Sequence, residues 1–265
     1  MPVWKPAIPQ GLRPHLLSWV GYDFASSDTA HHGVPSMGVT VVLSLAEPID
    51  CGWLHGGARQ RLDVLVSGLH TTPALIQLRG HQRGLELSIH PLSTRRLLGL
   101  PAGELAGSMI DVNDLPWPRH LLDQLRQSTW PRRFHLLAAF LTKRLDQHSH
   151  TPRADMVEAL SRIHRAGGAI PISDLAQDVG LSRRRLSSLF DLETGLSPKQ
   201  VARIARFNHA KDLVQSGAQF SDVAAMAGYS DQAHLSREWK SMTGWTLRQA
   251  KADFPLLQDT DTLPG

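Results

Sequence analysis

Leu175-Ala-Gln-Asp-Val-Gly-Leu-Ser-Arg-Arg-Arg-Leu-Ser-Ser-Leu-Phe-Asp-Leu-Glu-Thr-Gly195 is followed by Val223-Ala-Ala-Met-Ala-Gly-Tyr-Ser-Asp-Gln-Ala-His-Leu-Ser-Arg-Glu-Trp-Lys-Ser-Met-Thr-Gly244, and the two stretches share one plan. Ala176 aligns with Ala224 and Gly180 with Gly228 at an offset of 48, and Gly195 with Gly244 at 49, because the second copy holds one extra residue in its turn. Each reads as a short helix, a tight glycine turn and a second helix. The small Ala lets two helices approach closely, and the Gly supplies positive φ in the turn. Leu186, Leu189 and Phe190, like Leu235 and Trp239, would bury the rear of the second helix and leave its front facing out. A helical bundle in which the repeat is only a packing unit is the bland alternative. Two copies in tandem, joined by one long helix over 198–216, are far more specific than a lone match.

Outward from the repeat, every pattern after about residue 152 is helical. Asp155–Arg165 precedes Gly167-Gly168. Ser173 is expected to cap Asp174–Val179, Ser182 to cap Arg183–Glu193 and Ser221 to cap Asp222–Ala227, with Gly180, Gly195 and Gly228 as stops. Ser197-Pro198 opens the connecting helix. Asp231–Met242 ends at Gly244, and Trp245–Asp253 reads as a last helix before a loose tail. Upstream, His148-Ser-His-Thr-Pro-Arg153 is polar, contains proline and reads as a linker. The chain thus divides into 1–151, 152–255 and a tail, 256–265.

The first hundred residues read as strands. Val39-Thr-Val-Val-Leu-Ser-Leu, Leu62-Asp-Val-Leu-Val, Ala74-Leu-Ile-Gln-Leu and Leu85-Glu-Leu-Ser-Ile are short apolar or β-branched runs punctuated by Gly and Pro. A helical turn at Ser93–Leu98, a short helix from Arg119 and a longer one from Arg133 to about His148 follow. The expected class is multidomain α+β: an N-terminal antiparallel β-barrel with helices, then an all-α tandem helix-turn-helix domain.

Composition sets outer limits. Length of 265 residues suits about two domains, and 42% apolar with 20% charged residues excludes a chain disordered throughout. The lone Cys51 excludes an internal disulfide and a multi-thiolate zinc site. There is no apolar run of about 18 residues and no signal-like start, so the expected location is the cytoplasm, with no membrane partner. Net charge is +4, and the halves 1–151 and 152–255 each carry 14 Lys plus Arg against 11 Asp plus Glu, so bulk charge does not say which half would meet nucleic acid.

Residues 155–253 resemble the DNA-binding domain of the AraC/XylS family of bacterial transcription regulators. The resemblance is carried by Ile172-Ser-Asp-Leu-Ala, Gly180-Leu-Ser-Arg-Arg-Arg-Leu, Phe190, Glu193-Thr-Gly-Leu-Ser-Pro198, Ala210 to Leu213, Val223-Ala and Gly228-Tyr-Ser-Asp-Gln-Ala-His-Leu-Ser-Arg-Glu-Trp-Lys240. Where the family usually closes with Thr-Pro and Tyr-Arg pairs, this chain has Trp245-Thr-Leu and Gln249-Ala-Lys251, which leaves the last helix open. The resemblance implies double-stranded DNA as partner and places Arg184, Ser187 and Ser188 of the first copy, and Gln232, His234 and Arg237 of the second, toward base edges. Arg and Gln can pair with guanine and adenine there, whereas serines read weakly. Ser182, Arg183, Arg185 and Lys240 are expected at phosphates, and Asp231 as a helix cap. An Arg triplet alone is more often a solvated face, and His234 alone a surface histidine.

Residues of the first half, including Leu87-Ser-Ile-His-Pro-Leu, Leu97-Leu-Gly-Leu-Pro101, Glu104-Leu and Asp111-Val-Asn-Asp-Leu, loosely resemble a cupin-like sensor domain of some family members. That implies an unidentified small-molecule effector. No cofactor or metal is expected, because the lone His-x-His, His148/His150, lies in the linker and His31-His32 would point to opposite sides of an extended segment. The main expectation is a ligand-controlled transcription regulator and not an enzyme, with RNA polymerase as a further candidate partner. The helix near 133–148 suits either a homodimer contact or docking on the second half. The alternative is a cupin-type metal enzyme with an accessory DNA-binding domain. A repair methyltransferase would need four zinc-binding cysteines and a reactive one in a Pro-Cys-His-Arg setting, where this chain has Asp50-Cys-Gly-Trp. A nucleoid-coating protein would need a larger charge excess.

Overall fold

In a computed structural model of the chain, residues 2–111, 115 and 117–249 are described. The first half is built on an eight-stranded antiparallel sheet in the order β1-β2-β7-β3-β6-β8. The strands are β1 (Val3–Trp4), β2 (Leu16–Gly33), β3 (Val39–Ser44), β4 (Ile49–Trp53), β5 (Gln60–Leu62), β6 (Val64–Ser67), β7 (Ala74–Ile89) and β8 (Met109–Asp111), with β4 pairing with both β5 and β7. The sheet does not close, so the expected barrel is corrected to an open, curved sheet.

Two further strand expectations are corrected. Ala74–Leu78 and Leu85–Ile89 are the ends of one strand, and β2, which has no clean alternation of its own, pairs with it along nearly its whole length from Leu16↔Ile89 to Gly33↔Ala74. The middle of this ribbon is polar and exposed, and it is held by pairing, not by a buried face. A bulge falls between Ser26 and Thr29, where Asp28 has φ 64° and its carboxylate accepts from Gln77 and Arg79. Leu62–Val66 is likewise two strands, β5 and β6, which pair with different neighbours.

β7 changes partners along its length, from β4 near Ala74–Gln77 to β3 near Gly84–Ile89. Alternation then sorts two faces. Val39, Val41, Leu43, Val64, Val66, Leu85, Leu87 and Ile89 join the core beneath the helices. Tyr22, Val42, Ile49, Cys51, Leu65 and Met109 form a second apolar cluster in the hollow of the curve. Gly84 is needed there, since a Cβ at this position would lie 2.4 Å from the Tyr22 hydroxyl.

After the turn at Pro91–Ser93 come α1 (Thr94–Leu97), α2 (Arg119–Arg126) and α3 (Trp130–Gln147). The chain ends of α1 and α2 are capped by buried arginines of α3: Arg144 Nε donates to Leu97 O at 3.1 Å and Arg133 Nε to Leu125 O at 2.9 Å. A guanidinium at a helix C-terminus satisfies orphan carbonyls and opposes the negative dipole end. α3 packs inward with Phe134, Leu137, Leu141 and Leu145, so its apolar stripe is used within the chain, against α1, α2 and the turn at Gln10–Leu12.

The second half is α4 (Ala154–Arg165), α5 (Ile172–Asp178), α6 (Arg183–Thr194), α7 (Pro198–Gln215), α8 (Phe220–Met226) and α9 (Gln232–Thr243). α5 and α8 each start one residue before the serine expected to cap them. Their N-caps are Pro171 and Gln219, and Ser173 and Ser221 lie inside the first turn, bonded to Asp174 and Asp222. Residues 247–249 begin another helix; the rest of the expected Trp245–Asp253 helix and the tail 256–265 lie outside the described residues.

Candidate nucleic-acid interface

The two copies repeat bond for bond. Gly180 and Gly228 take φ 68° and 72°, and after each the backbone closes on the small residue: Leu181 N donates to Ala176 O, and Tyr229 N to Ala224 O. Ser182 then caps α6 by accepting from Arg185 N at 3.2 Å, and Asp231 caps α9 by accepting from His234 N at 2.6 Å. The His234 N–H, with the Ser230 hydroxyl, holds the Asp231 carboxyl below its usual range. The rear residues Leu186, Leu189, Phe190, Leu235 and Trp239 are all buried.

The repeat also extends beyond Gly195 and Gly244, through Thr194-Gly-Leu-Ser-Pro-Lys-Gln200 and Thr243-Gly-Trp-Thr-Leu-Arg-Gln249. Thr194 Oγ1 bonds Phe190 O, Leu196 O and Leu196 N, and Thr243 Oγ1 bonds Trp239 O, Trp245 O and Trp245 N. Ser197 and Gln200 form a reciprocal capping box, and Thr246 and Gln249 form the same one. The segment that departs from the family's usual closing residues therefore still starts a helix. The aligned Thr-Gly-x-Ser/Thr-x-x-Gln pattern was the available signal.

The front of α6 exposes Arg183, Arg184, Arg185, Ser187 and Ser188, and that of α9 exposes Gln232, Arg237 and Lys240. Ser188 donates back to Arg184 O, which leaves its oxygen as an acceptor for anything outside. His234 is half-buried: its Nδ1 lies 3.2 Å from Ser230 Oγ and its ring packs edge-on to Tyr229. Only Nε2 remains for an external contact. α7 ties the readers together, because Arg203 pairs with Glu238 and bonds Ser241 of α9, while Phe207 packs on Trp239 at 5.4 Å.

Residues 175–252 match the family model described as a helix-turn-helix domain. The second half of the chain thus carries a helix-turn-helix domain. It is similar to an uncharacterized HTH-type transcriptional regulator of Staphylococcus aureus, 30% identical over 91 residues, which are 34% of this chain and 12% of that protein. It is also similar to the uncharacterized HTH-type transcriptional regulator YbfI of Bacillus subtilis, 32% identical over 66 residues, 25% of this chain and 24% of that one. The chain thus spans a small part of these relatives' length. In architecture it is similar to ToxT from Vibrio cholerae, with a TM-score of 0.57 over 89% of this chain and 97% of that one at 10% identity. A second ToxT structure, with unsaturated fatty acid bound, gives 0.53 over 87% and 93% at 11%. The likeness shows that the open sheet and the helical domain form one known fold.

The C-terminal ends of both reader helices of this domain are docked on the first half. A turn at Ala102–Leu105 packs against the end of α6, where Arg95 pairs with the largely buried Glu193 at 3.3 Å. His32, at the end of β2, donates from Nδ1 to Thr243 O at 2.7 Å and stacks on Trp245 at 4.5 Å. Beside it, His31 lines a cleft with about 710 Å³ of empty space, counting its open mouth, in the hollow of the sheet. Neither the docking residues nor the cleft lining was visible in sequence, because the lining arises from strand register and the docking from how the two halves pack. Among the described residues no three His, Cys, Asp or Glu side chains gather as a metal site, and no helix is long and apolar enough to cross a membrane.

Proposed function

We propose that the protein is a sequence-specific DNA-binding transcription regulator of the bacterial cytoplasm, without enzymatic activity, controlled by a small molecule held in the hollow of the N-terminal sheet. The observation that carries this reading is the doubled reader: two helices capped alike, backed by one connecting helix, each exposing its N-terminal end while its C-terminal end is held. Helix N-termini and arginines suit phosphates, and exposed Arg and Gln suit base edges in the major groove. Arg184, Ser187, Ser188, Gln232, His234 and Arg237 are assigned to bases, and Ser182, Arg183, Arg185 and Lys240 to phosphates. Two readers on one stiff frame fit a two-part site in successive groove segments. The apolar cleft, and the fatty acid bound in a ToxT structure of like fold, support a ligand-holding first half. RNA polymerase and a second copy of the chain are further partners in this reading.

Selection of bound fragments from a genomic library by the full chain should return one two-part motif. Affinity for that motif should fall steeply as salt rises, because each neutralised phosphate releases a counterion. Folded protein that enriches no motif and shows no salt dependence would falsify the assignment.

A further inference from the structure

We propose that the cleft in the N-terminal sheet takes an uncharged, elongated apolar ligand with a hydroxyl toward each end, one held by His31 and the other by Tyr22. This deepens the effector half of the proposed function and rests on it.

A bulge in the strand pairing puts both side chains in the hollow. Strict alternation would send Tyr22 and His31, nine residues apart, to opposite faces. Between Ser26 and Thr29, however, β2 advances three residues while β7 advances two, from Gly80 to Leu78. The bulge shifts the alternation by one residue. Tyr22 and His31 therefore both line the cleft, and His32 turns outward to Thr243. The two stand apart along the ribbon, Tyr22 opposite Gly84 and His31 opposite Ile76. Much of the remaining wall is apolar, with Val42, Ile49, Leu65 and Met109.

Among the described residues, three polar side chains of the lining are more than nine-tenths buried: Tyr22, His31 and Ser67. Ser67 Oγ donates to Gly68 O at 3.5 Å. Neither the Tyr22 hydroxyl nor either ring nitrogen of His31 has a hydrogen-bond partner among the described residues. Other polar groups of the lining are engaged. His70 Nδ1 bonds Thr72 O and Gln82 Nε2 bonds Arg79 O, each at 2.6 Å, and Glu86 is not free. An unmet buried polar group is costly, so Tyr22 and His31 each call for a partner from whatever fills the cleft.

Both anchors are uncharged near pH 7, because burial pushes His31 down to about 4 and the Tyr22 phenol upward. A neutral imidazole offers one N–H and one bare nitrogen, and a phenol both donates and accepts, so a hydroxyl suits either. His70 is likewise pushed down to about 4 by burial, and no lysine or arginine is among the described lining residues. A carboxylate would thus be buried with no cation at either anchor. An ammonium group can only donate and would leave the hydrogens of both anchors unmet.

The test uses the full chain and one length series, hexanediol to decanediol with a hydroxyl at each end, beside the matching mono-alcohols, diammonium ions and dicarboxylates. Binding is read by calorimetry. The best-fitting diol is expected to bind about fivefold or more tighter than its mono-alcohol, and the charged probes of that length more weakly than either. Tyr22→Phe and His31→Leu should each bring that diol to within about twofold of the mono-alcohol. A diol no tighter than its mono-alcohol, a charged probe as tight as the diol, or no binding by any probe overturns the proposal. So does a folded Tyr22→Phe or His31→Leu protein that keeps the full preference for the diol. If a variant fails to fold, the ordering on the unaltered protein decides alone. DNA selection by the same protein without any probe tests the regulator reading separately, so either can fail while the other stands.

Discussion

His32 Nδ1 donates to the Thr243 carbonyl oxygen over 2.7 Å, joining β2 to the last turn of the second reader helix across 211 residues of sequence. His31, the next residue along the strand, points the other way and lines the cleft. Adjacent strand residues face opposite sides, so this one dipeptide touches both the cleft and the reader. A ligand regulates only by distinguishing two states, and through this dipeptide cleft occupancy can be felt at α9.

His32→Ala should free the end of α9 while leaving α6 as it is, because α6 is held separately through Glu193 and the turn at Ala102–Leu105. One lost hydrogen bond of about 1 kcal/mol corresponds to roughly fivefold faster local opening. Amide hydrogen exchange over 240–249 should quicken by about that factor, with no change over 190–197. Equal acceleration at both ends would mean that the two docking sites act as one.

Arg237 and Lys240 are both exposed on α9 and are assigned different tasks. Arg237→Ala should weaken the selected site by about 1–3 kcal/mol and relax the choice at one base position. Lys240→Ala should weaken all sequences alike and lower the salt slope by about one unit. Titrations of both variants with the selected site and with random DNA, at several salt concentrations, separate these outcomes. Identical behaviour of the two variants would remove the base-reading role from Arg237.

The second half was legible because its signals are local: glycine stops, a cap such as Ser182, and apolar residues at helical spacing such as Leu186, Leu189 and Phe190. Ser173 and Ser221 misled for the same local reason, since each is followed by an aspartate that its hydroxyl can bond in place of the backbone. The first half was readable only where the strand is buried in an apolar core, as along Val39–Leu43. The middle of the β2–β7 ribbon is polar on both sides and is a strand only because its partner lies beside it. Gly80, which looks like a break, has φ 62° inside a continuous strand. Cleft residues such as Tyr22 and Glu86 come together through register, which no single segment encodes.

Acid should destabilise the first half in a defined window. Burial pushes His31, His70 and His90 down to about 4. The unfolded chain takes up protons below 6.5, and the folded chain does so only near 4. Stability is therefore whole above 6.5 and drains away as pH falls toward 4, by up to about 1.4 kcal/mol per pH unit for each histidine. His90 allows a clean check, because its Nδ1 accepts from Leu92 N at 3.2 Å as a cap. Asparagine can replace that acceptor without titrating. His90→Asn should leave the Tm near pH 7.5 almost unchanged and reduce its fall between pH 6.5 and 4.5. A fall as steep as in the unaltered protein would show that His90 is not one of the groups responsible.

Gly103 lies in the turn docked on α6, and a Cβ placed there would sit 2.4 Å from Leu192 O and 2.6 Å from Asp191 O. Both atoms belong to the backbone of the reader helix, so they cannot swing aside as a side chain would. Gly103 itself does not need positive φ, so alanine suits its local conformation and the strain falls on the contact between the halves. Gly103→Ala should therefore act as a wedge, pushing the turn off α6, exposing Gly195 and Ala106 and stretching the Arg95–Glu193 pair. The expected cost is about 1–3 kcal/mol, as for other overpacked contacts. Because the sheet and the helix repeat keep their own internal bonds, unfolding should broaden or divide into two transitions in calorimetry. Proteolysis between 101 and 107 should also become faster, since the turn loses its cover. A single sharp transition with unchanged Tm would mean that the seam yields at little cost, and that the first reader is not held where the structure places it.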